Sequence, residues 1–490
     1  MLFNSLQFFI FFPVVTAVYF FIPHTFRWAF LLLASCIFYM AFIPAYILIL
    51  FVTIGIDYWA GIKIEESEGK TQKRWLILSV ISTVLVLAIF KYFNFFNSNL
   101  AVAANFFHWN YPIHFINIIL PIGLSFHTFQ SLSYVIEVYF GRFKAERHLG
   151  IYSLYVMFYP QLVAGPIERP QNLLHQFREE HFFEYVRVVE GMRRMLWGLF
   201  KKMVIADNLV SYVNKIYRTP TEYDGIVLLI ATILFSIQIY CDFSGYADIA
   251  IGSAKVMGFK LMENFKNPYF ASSIPDFWAR WHISLSTWFR DYVYIPLGGN
   301  RIGKARYVRN ILATFLLSGL WHGANWTYVA WGGIHGLFTV FSRFFSRASR
   351  VSDSAVLLFL NRFVTLFIVC IAWVFFRAKT VGEAWYIVAH ILKSFCGLFV
   401  AVFSSVYSMS ITPVFLFLKP IAIWGRFQLA FLLGIVIIFV ITEIIDYKKG
   451  VVSAIGGMPE IARWLVYVCL IFGILNFSIT QEVPFIYFQF

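Results

Sequence analysis

Charged residues are scarce in this chain of 490 residues: only 13% are Asp, Glu, Lys or Arg. A soluble globular domain carries about twice that share, roughly 25%. No polar segment is long enough to form a soluble domain, and the hydrophobic residues, 60% of the total, come in long blocks. These features exclude an ordinary soluble protein. They predict an all-α, polytopic membrane protein in which residues 1–490 form a single membrane domain.

Cysteine is also scarce and shows no metal-binding or redox spacing. The five cysteines stand mostly among apolar residues, which is typical of small buried hydrophobic side chains. The chain contains no Walker loop, no GxSxG and no GxGxxG. ATPase, serine-hydrolase and dinucleotide-binding functions therefore have no supporting motif. No pair of histidines has HxxxH-type spacing, and we expect no bound metal.

Basic residues are unevenly placed, although the net charge is +14. None precedes Arg27, so the apolar N-terminus is interpreted as a retained span rather than a signal peptide. The other Lys and Arg residues cluster in short loops between apolar blocks, which favours membrane topology over nucleic-acid binding. Four cations within one apolar block are expected to extend to the cytoplasmic surface: Arg193, Arg194, Lys201 and Lys202.

Apolar blocks recur to the end of the chain. They lie near 4–22, 28–43, 45–61, 75–97, 150–164, 188–205, 224–251, 310–320, 326–342, 355–376, 383–407, 411–424, 428–446 and 461–480. Between them, Pro121 and Gly123 interrupt an apolar run over 113–140, which predicts a re-entrant or kinked helix. The polar residues 171–187 predict an interfacial helix.

Two carboxylates stand inside the apolar block 224–251. Asp242 and Asp248 must face a partner or water, because an unpaired carboxylate is costly in lipid. With Ser244 and Tyr246 they fit a cation path. An internal hydrogen-bond network that fixes helix packing is the simpler interpretation.

The longest polar stretch of the chain contains the first of two notable histidines, His282. Residues 273–291 predict one amphipathic helix, with Ser273 as N-cap and Asp276 paired to Arg280 at i, i+4. One face of this helix carries Trp278, His282, Leu285 and Phe289. His282 is then either a hydrogen-bonded structural histidine or a residue lining a substrate channel.

The second histidine, His322, lies in the segment GLWHGAN at the end of an apolar block. Gly319 and Gly323 flank it and leave room for a ligand or a close backbone. Its imidazole can accept a proton from a hydroxyl or thiol near neutral pH. Spacing alone slightly favours a buried structural role over catalysis. His127 and His335 are candidate companions.

These segments together resemble the membrane-bound O-acyltransferases, and among them the bacterial alginate O-acetylation membrane proteins. The resemblance covers nearly the whole chain. It is carried by MLFNSLQFFIFF, FYPQLVAGPIERP at 158–170, YCDFSGYADIAIG at 240–252, PDFWARWHISLSTWFRDYVYIPLGGNR at 275–301, LLSGLWHGANWTYVAWGGIHG at 316–336 and the terminal FIYFQF. It implies about 11–13 transmembrane helices, with short re-entrant and interfacial helices, around a central cavity. The core is expected at about 120–345, with C-terminal helices over 355–480.

The resemblance also implies roles for particular residues. It assigns the catalytic histidine to His322, acting as base, and the second motif histidine to His282. Side chains expected to line or support the substrate channel are Trp321, Asn325, Asp242, Ser244, Tyr246, Trp278, Trp281 and Asp291. Cations expected to bind the donor, unless they serve only topology, are Arg280, Arg290, Arg301 and Lys304.

The implied activity is transfer of an acetyl group from a cytoplasmic thioester to an exopolysaccharide such as alginate. The donor is expected to be acetyl-CoA or an acyl carrier protein thioester, with no bound cofactor. An SGNH-like periplasmic acetyltransferase is the expected partner, and the bacterial inner membrane the expected location. The alternatives are D-alanyl or other acyl transfer to a cell-wall polymer, or a non-catalytic export scaffold or transporter. A transporter would need internal pseudo-repeats, and none is visible in the sequence.

Overall fold

The computed structural model describes residues 1–116, 121–163, 165–301, 303–349, 354–479 and 484–488. Every regular element in these ranges is helical, which confirms the all-α class. Ala164, Ile302 and the final Gln489 and Phe490 of the quoted segments lie outside the described residues, as do the expected boundaries at residues 120 and 480.

Seven helical segments of the described chain are long and apolar enough to cross a membrane, which agrees with a multi-pass protein. They are Pro44–Glu65, Gly69–Phe106, Gly225–Met257, Ala355–Arg377, Val381–Tyr407, Thr412–Lys449 and Glu460–Phe477. Two shorter apolar helices, Leu6–Phe21 and His24–Met40, precede them. The expected number of 11–13 spans is larger, because it also included blocks whose helices are shorter or less apolar.

The chain forms two compact units. The first comprises residues 1–198, 246–264 and 488–490. Ten helices begin in it: α1 (Leu6–Phe21), α2 (His24–Met40), α3 (Ile47–Glu65), α4 (Gly69–Leu87), α5 (Phe93–Phe106), α6 (Leu124–Tyr139), α7 (Leu149–Met157), α8 (Tyr159–Leu162), α9 (Pro170–Leu173) and α10 (Tyr185–Phe200).

A buried polar cluster ties three helices of the first unit together. Asp57 on α3 is fully buried and accepts hydrogen bonds from Ser79 (2.6 Å) and Thr83 (3.2 Å) on α4. One turn before Asp57, Thr53 contacts His127 of α6, with 2.7 Å between Oγ1 and Nε2. Because polar groups in an apolar interior need partners, these bonds fix the register of the three helices. His127 thus has a structural role within the first unit.

The broken apolar run over 113–140 becomes helical only after Gly123, where α6 starts. Gly123 has φ 77°, and a Cβ there would lie 2.7 Å from the carbonyl oxygen of Leu162. The predicted interfacial helix over 171–187 is wrong. Its residues form the end of α9, a 3₁₀ turn, a non-helical stretch and the first three residues of α10. The Gln176 amide accounts for the break, because it bonds the backbone of Lys260 at 3.0 and 2.8 Å.

The second unit comprises residues 199–245 and 265–487. Its helices are α11 (Asp207–Arg218), the first part of α12 (Gly225–Met257), α13 (Ile274–Trp278), α14 (Ile283–Phe289), α15 (Lys304–His322), α16 (Trp326–Ser349), α17 (Ala355–Arg377), α18 (Val381–Tyr407), α19 (Thr412–Leu418), α20 (Gly425–Lys449), α21 (Val451–Gly456) and α22 (Glu460–Phe477). Short 3₁₀ segments in the chain are Pro44–Tyr46, His175–Arg178, Pro220–Glu222, Pro268–Phe270, Lys419–Trp424 and Ile486–Phe488.

Three π-helical segments interrupt the helices: Ala88–Tyr92, Lys201–Ala206 and Arg290–Tyr294. Such segments are rare and frequently occur at functional sites. Two of them lie beside residues that the sequence analysis selected. Lys201 and Lys202 begin one, and Arg290 and Asp291 begin another.

The single amphipathic helix predicted over 273–291 is wrong, although its start is correct. Ser273 caps α13 by accepting the N–H of Asp276 at 3.2 Å, and Arg280 pairs with Asp276 at 2.6 Å. The helix then stops, because His282 adopts left-handed backbone angles, φ 43° and ψ 56°. Trp278 and Leu285 therefore lie on different helices and do not share one helical face.

Two predictions about exposure need correction. Cys241 and Cys370 are buried as expected, but Cys396 and Cys469 are exposed on apolar helices. Lys201 and Lys202 do not reach a surface, since only 6% and 1% of their areas are exposed.

Candidate active site

His322 ends α15 in a box of aromatic rings. Only 3% of its surface is exposed. Its ring centroid lies 4.9 Å from that of Trp331, 5.5 Å from that of Phe376 and 5.6 Å from that of Tyr487. These rings exclude water from the imidazole, and low local polarity strengthens any hydrogen bond made there.

The glycines around His322 serve helix packing rather than an open ligand space. A Cβ on Gly319 would lie 2.3 Å from the carbonyl oxygen of Tyr328, and one on Gly332 would lie 2.2 Å from that of Phe315. Helices α15 and α16 therefore approach each other with glycine on both sides. Gly323 has the same role, because its Cβ would meet the Tyr328 ring at 2.1 Å. This close contact fixes the end of α15, and with it His322.

His282 is fully buried and begins α14. Its ring stands edge-on to Phe243 of α12 at 4.6 Å and lies 6.5 Å from Trp321. Trp321 in turn lies 4.9 Å from His322. The two motif histidines thus share Trp321 as a neighbour, as their common place in the predicted site requires.

The end of the chain enters this same cluster. Phe485 is fully buried and Ile486 is 4% exposed. The Tyr487 ring lies 4.7 Å from Phe243 as well as 5.6 Å from His322. Among the described residues, its hydroxyl has no hydrogen-bond partner. The aromatic residues of this tail, considered as sequence alone, favour a place in the membrane interface, whereas Phe485 and Ile486 are buried. A tyrosine among the apolar residues 484–488 was the signal that was available for a role in the site.

The aspartate segment of α12 supplies ion pairs. Asp242 Oδ1 lies 2.7 Å from Lys202 Nζ, which also lies 2.8 Å from Asp207. Lys201 donates to Ser244 Oγ at 2.9 Å. The lysines stay inside because these partners satisfy them, which is why the expected extension to the surface does not occur.

The rest of this segment belongs to the first unit. Tyr246 packs its ring against Phe3, with 5.5 Å between centroids, and Asp248 pairs with Arg194 at 2.9 Å. Both carboxylates of the segment thus face a cation, as the interpretation of an internal network predicts.

Two of the selected tryptophans, Trp278 and Trp281, support the aromatic rings that surround His322. Trp278 Nε1 donates to His335 Nδ1 at 3.2 Å, and the rings of both residues lie near that of Trp331, at 5.5 and 5.0 Å. Trp281 is 1% exposed and lies 5.0 Å from Trp373. His335 is therefore linked to His322 through Trp331 and holds its neighbours in place.

The selected polar residues beside these helices have local partners. Asn325 caps α16, since its Oδ1 accepts the N–H of Thr327 at 3.0 Å, and its amide donates to the Lys379 carbonyl at 3.1 Å. Asp291 accepts from Arg290 Nε at 2.8 Å. These contacts indicate structural roles for Asn325 and Asp291.

An apolar cavity of about 220 Å³ opens beside α14 and α15. Trp278 and Phe289 form part of its wall, and Arg290 lies at its lining. Thr314 and Ser318 also line it. They precede His322 at steps of four residues on α15, so the cavity follows the helix face that leads to the imidazole.

The four selected cations differ in their surroundings. Arg280 and Arg290 each pair with an aspartate, and the Arg290 side chain is 60% exposed. Arg301 and Lys304 are exposed at the start of α15. These four are thus within reach of solvent, unlike the buried lysines.

A second, polar cavity of about 800 Å³ lies in the first unit and includes Glu168 of the segment FYPQLVAGPIERP. Glu168 is fully buried. Its carboxyl accepts hydrogen bonds from the Met262 N–H at 2.5 Å and from the Asn172 side-chain amide at 3.4 Å. Burial raises the pKa of its carboxyl to about 7, since these bonds only partly offset the loss of water.

The seven long apolar helices indicate an integral membrane protein. The family model described as MBOAT, membrane-bound O-acyltransferase family, matches residues 45–379. The chain belongs to this family and is a multi-pass membrane O-acyltransferase.

Similar proteins carry related names. A probable alginate O-acetylase AlgI of Pseudomonas aeruginosa is 40% identical over 393 residues, 79% of this chain and 74% of that protein. The protein of the same name from Azotobacter vinelandii is 37% identical over the full length of both chains. A peptidoglycan O-acetyltransferase of Helicobacter pylori is 35% identical over 395 residues, 75% of this chain and 73% of that protein.

Proposed function

We propose that this enzyme takes an acetyl group from cytoplasmic acetyl-CoA and passes it across the inner membrane for O-acetylation of an exopolysaccharide, alginate or a similar glycan. The names of the similar proteins support a glycan acceptor and an acetyl group. The chemical problem is that the charged donor and the glycan lie on opposite sides of the bilayer. A protein-lined path lets the small acyl group cross without its carrier.

His322 is the proposed general base, and the observation that carries this proposal is its ring contact with Tyr487. A buried imidazole beside a phenol, with Phe376 near both rings and Trp331 near the imidazole, has the groups needed for proton transfer. A water-poor site also favours the charged tetrahedral intermediate if hydrogen-bond donors face it. His282 supports the site from the other side of Trp321.

Tyr487 is the proposed first acceptor. His322 removes the phenol proton as the phenolate oxygen attacks the thioester carbonyl. The C–S bond then breaks, and the imidazolium returns the proton to the leaving thiolate, so the products are a tyrosyl ester and free CoA thiol. A phenol, with an ordinary pKa of about 10, is a better leaving group than a sugar hydroxyl. The ester therefore keeps enough free energy for a second transfer.

The second transfer delivers the acetyl group to a glycan hydroxyl and regenerates the phenol. An SGNH-like periplasmic acetyltransferase is the proposed partner for this step. Its serine hydroxyl would attack the tyrosyl ester and then donate the acetyl group to the sugar. D-alanyl transfer to a cell-wall polymer would follow the same two steps with a different acyl group.

The donor path is proposed along α15. Arg290, Arg301 and Lys304 supply positive charge for the phosphates of CoA. The apolar cavity beside Thr314 and Ser318 suits the uncharged arm that carries the thioester. Because these residues precede His322 on one helix face, a thioester entering there would approach the imidazole.

Purified protein given acetyl-CoA labelled in the acetyl group tests the proposal. We expect label on the peptide that contains Tyr487, found by mass spectrometry. Tyr487→Phe, which keeps the ring and removes the hydroxyl, and His322→Gln should each reduce labelling by at least about 100-fold. Tyr223→Phe, a tyrosine outside the site, is the matched control and should label normally. Full labelling of a well-folded His322→Gln protein would refute the role of His322.

A further inference from the structure

The last described residues of the chain form a short tail, 484–488, that must be held in place by something other than its own fold. Its only regular element is the 3₁₀ turn Ile486–Phe488. Such a turn has too few internal hydrogen bonds to be stable alone. The apolar contacts of Phe485 and Tyr487 bury the tail, but they are non-directional and do not set its register.

A buried hydrogen bond supplies the directional contact that can set the register of the tail. The backbone N–H of Ile486 donates to Asp242 Oδ2 at 2.7 Å. Ile486 directly precedes Tyr487, so this bond fixes the backbone next to the phenol. Asp242 is 3% exposed, and a hydrogen bond to a buried carboxylate is stronger than one between neutral groups.

The second oxygen of Asp242 pairs with a buried lysine. Oδ1 lies 2.7 Å from Lys202 Nζ, and Lys202 also holds Asp207 at 2.8 Å. All three side chains are at most 6% exposed. The Asp242 carboxylate is thus held at one oxygen by Lys202, and its other oxygen accepts the Ile486 N–H.

Lys202 is directed inward by an unusual backbone. It lies in the π-helical segment Lys201–Ala206, where the helix widens between α10 and α11. Its neighbour Lys201 reaches Ser244, two residues after Asp242 on α12. Two successive lysines thus both bind the aspartate segment. Lys202 contacts the Asp242 oxygen that does not bind the tail.

We infer that Asp242 and Lys202 form a latch that holds the Ile486 backbone and so positions Tyr487 against His322. The latch residues are positioning residues and do not touch the reacting atoms. This inference rests on the proposed transfer to Tyr487. It adds that the tail is fixed by one charged hydrogen bond, which can be removed without disturbing the membrane helices.

Ile486→Pro in the full-length protein is the sharpest test. Proline lacks the N–H but suits the first position of a 3₁₀ turn, so this variant loses the bond to Asp242 together with part of the buried Ile486 side chain. Ile486→Ala is the matched control, because it shortens the side chain and keeps the N–H. Asp242→Asn should retain part of the function, since its amide oxygen can still accept the bond. Asp242→Ala should behave as Ile486→Pro does.

Two readouts separate the latch from the proposed function. Hydrogen–deuterium exchange of amides 485, 487 and 488 should be at least about tenfold faster in Ile486→Pro than in Ile486→Ala. Single-turnover acetylation of Tyr487 should fall about 10- to 100-fold in Ile486→Pro, with the concentration dependence on acetyl-CoA unchanged. Ile486→Ala should stay within about threefold of the unchanged protein.

Each result decides one question. Unchanged exchange and acetylation in Ile486→Pro would overturn the latch. Absence of label on Tyr487 in the unchanged protein would overturn the proposed acceptor, and the exchange measurement would still decide whether Asp242 holds the tail. Slower acetylation in Ile486→Pro with unchanged tail exchange would also contradict the latch, because the tail would not have been released.

Discussion

His282 has a left-handed backbone, with φ 43°, that side chains other than glycine and asparagine rarely adopt. The residue ends one short helix region and starts the next, α14. Its ring is thereby turned toward Phe243 and Trp321. Residue 282 must therefore both adopt a left-handed backbone conformation and place a ring beside Phe243 and Trp321.

Substitution at His282 should separate these two demands. We expect His282→Asn and His282→Ala both to lower Tyr487 acetylation, by less than His322→Gln does. His282→Asn should melt at a higher temperature than His282→Ala, since asparagine tolerates left-handed angles that cost alanine about 1 kcal/mol. Thermal melting in detergent, followed by intrinsic fluorescence, measures the difference. Equal melting temperatures would show that backbone strain is unimportant there.

Glu168 predicts a pH dependence of stability. Burial raises its pKa to about 7 from the ordinary value of 4.5, so between these values the folded chain binds a proton that the unfolded chain releases. Stability contributed at this site is therefore full at low pH and is lost as the pH rises from about 4.5 toward 7. Glu168→Gln mimics the protonated form and should flatten the profile, by up to roughly 3 kcal/mol at pH 7.5. Melting temperatures from pH 5 to 7.5 test this, and parallel curves for both proteins would contradict it.

At the scale of elements, the sequence predicted long apolar helices well and their interruptions poorly. The blocks at 355–376 and 383–407 correspond to α17 and α18 within a few residues. The helix expected over 273–291 failed at His282, because the apolar spacing of its residues carries no information about a left-handed turn. The π-helical segment at Lys201 was likewise invisible, since it depends on buried partners distant in sequence.

The candidate active site could be predicted from the sequence only in part. His282, His322 and Trp321 could be selected from their segments, and the structure brings them together. Tyr487 was missed because only tertiary structure carries the chain end to α12 and α15. Asn325 and Asp291 were expected to line or support the substrate channel, and the contacts found for them include a cap on α16 and a bond from the neighbouring Arg290.

The contact between α15 and α16 yields a prediction with a neighbouring control. Gly332→Ala would place a Cβ 2.2 Å from the Phe315 carbonyl oxygen, so the helices must separate. We expect a loss of about 1–3 kcal/mol of stability. Activity should also fall as His322 shifts. Gly333→Ala meets nothing closer than 3.6 Å and should raise stability by up to about 1 kcal/mol through helix propensity. Thermal melting and acetylation assays on both variants measure these effects.

At the scale of the whole molecule, the net charge of +14 has a kinetic consequence. An exposed cluster of cations attracts an anionic donor at a distance, and salt screens that attraction. We expect the KM for acetyl-CoA to rise severalfold between 50 and 300 mM salt with kcat nearly constant. The double variant Arg301→Gln, Lys304→Gln should raise KM at low salt and lose most of this dependence. A salt response equal to that of the unchanged protein would remove these residues from the donor site.

The division into two units separates structural polarity from the groups proposed for chemistry. In the first unit, Asp57 and its hydroxyl partners join helices, and Asp248 pairs with Arg194. In the second, Asp242 binds both a lysine and the chain end. Buried carboxylates in one membrane protein can thus have quite different uses, which their partners reveal and composition does not.

The covalent attachment of the tail affects the kinetics of the proposed acyl transfer, because it sets the effective concentration of the acceptor. Nine residues, 478–486, join Phe477 at the end of α22 to Tyr487, so in the proposed transfer the acceptor is tethered to the enzyme rather than supplied by diffusion. A short tether corresponds to an effective concentration in the millimolar range. Acylation of the tail should therefore follow first-order kinetics in enzyme, and a free peptide of the same sequence would have to approach millimolar levels to compete. Under this proposal the chain carries its own first substrate, and one acyl group at a time can be loaded.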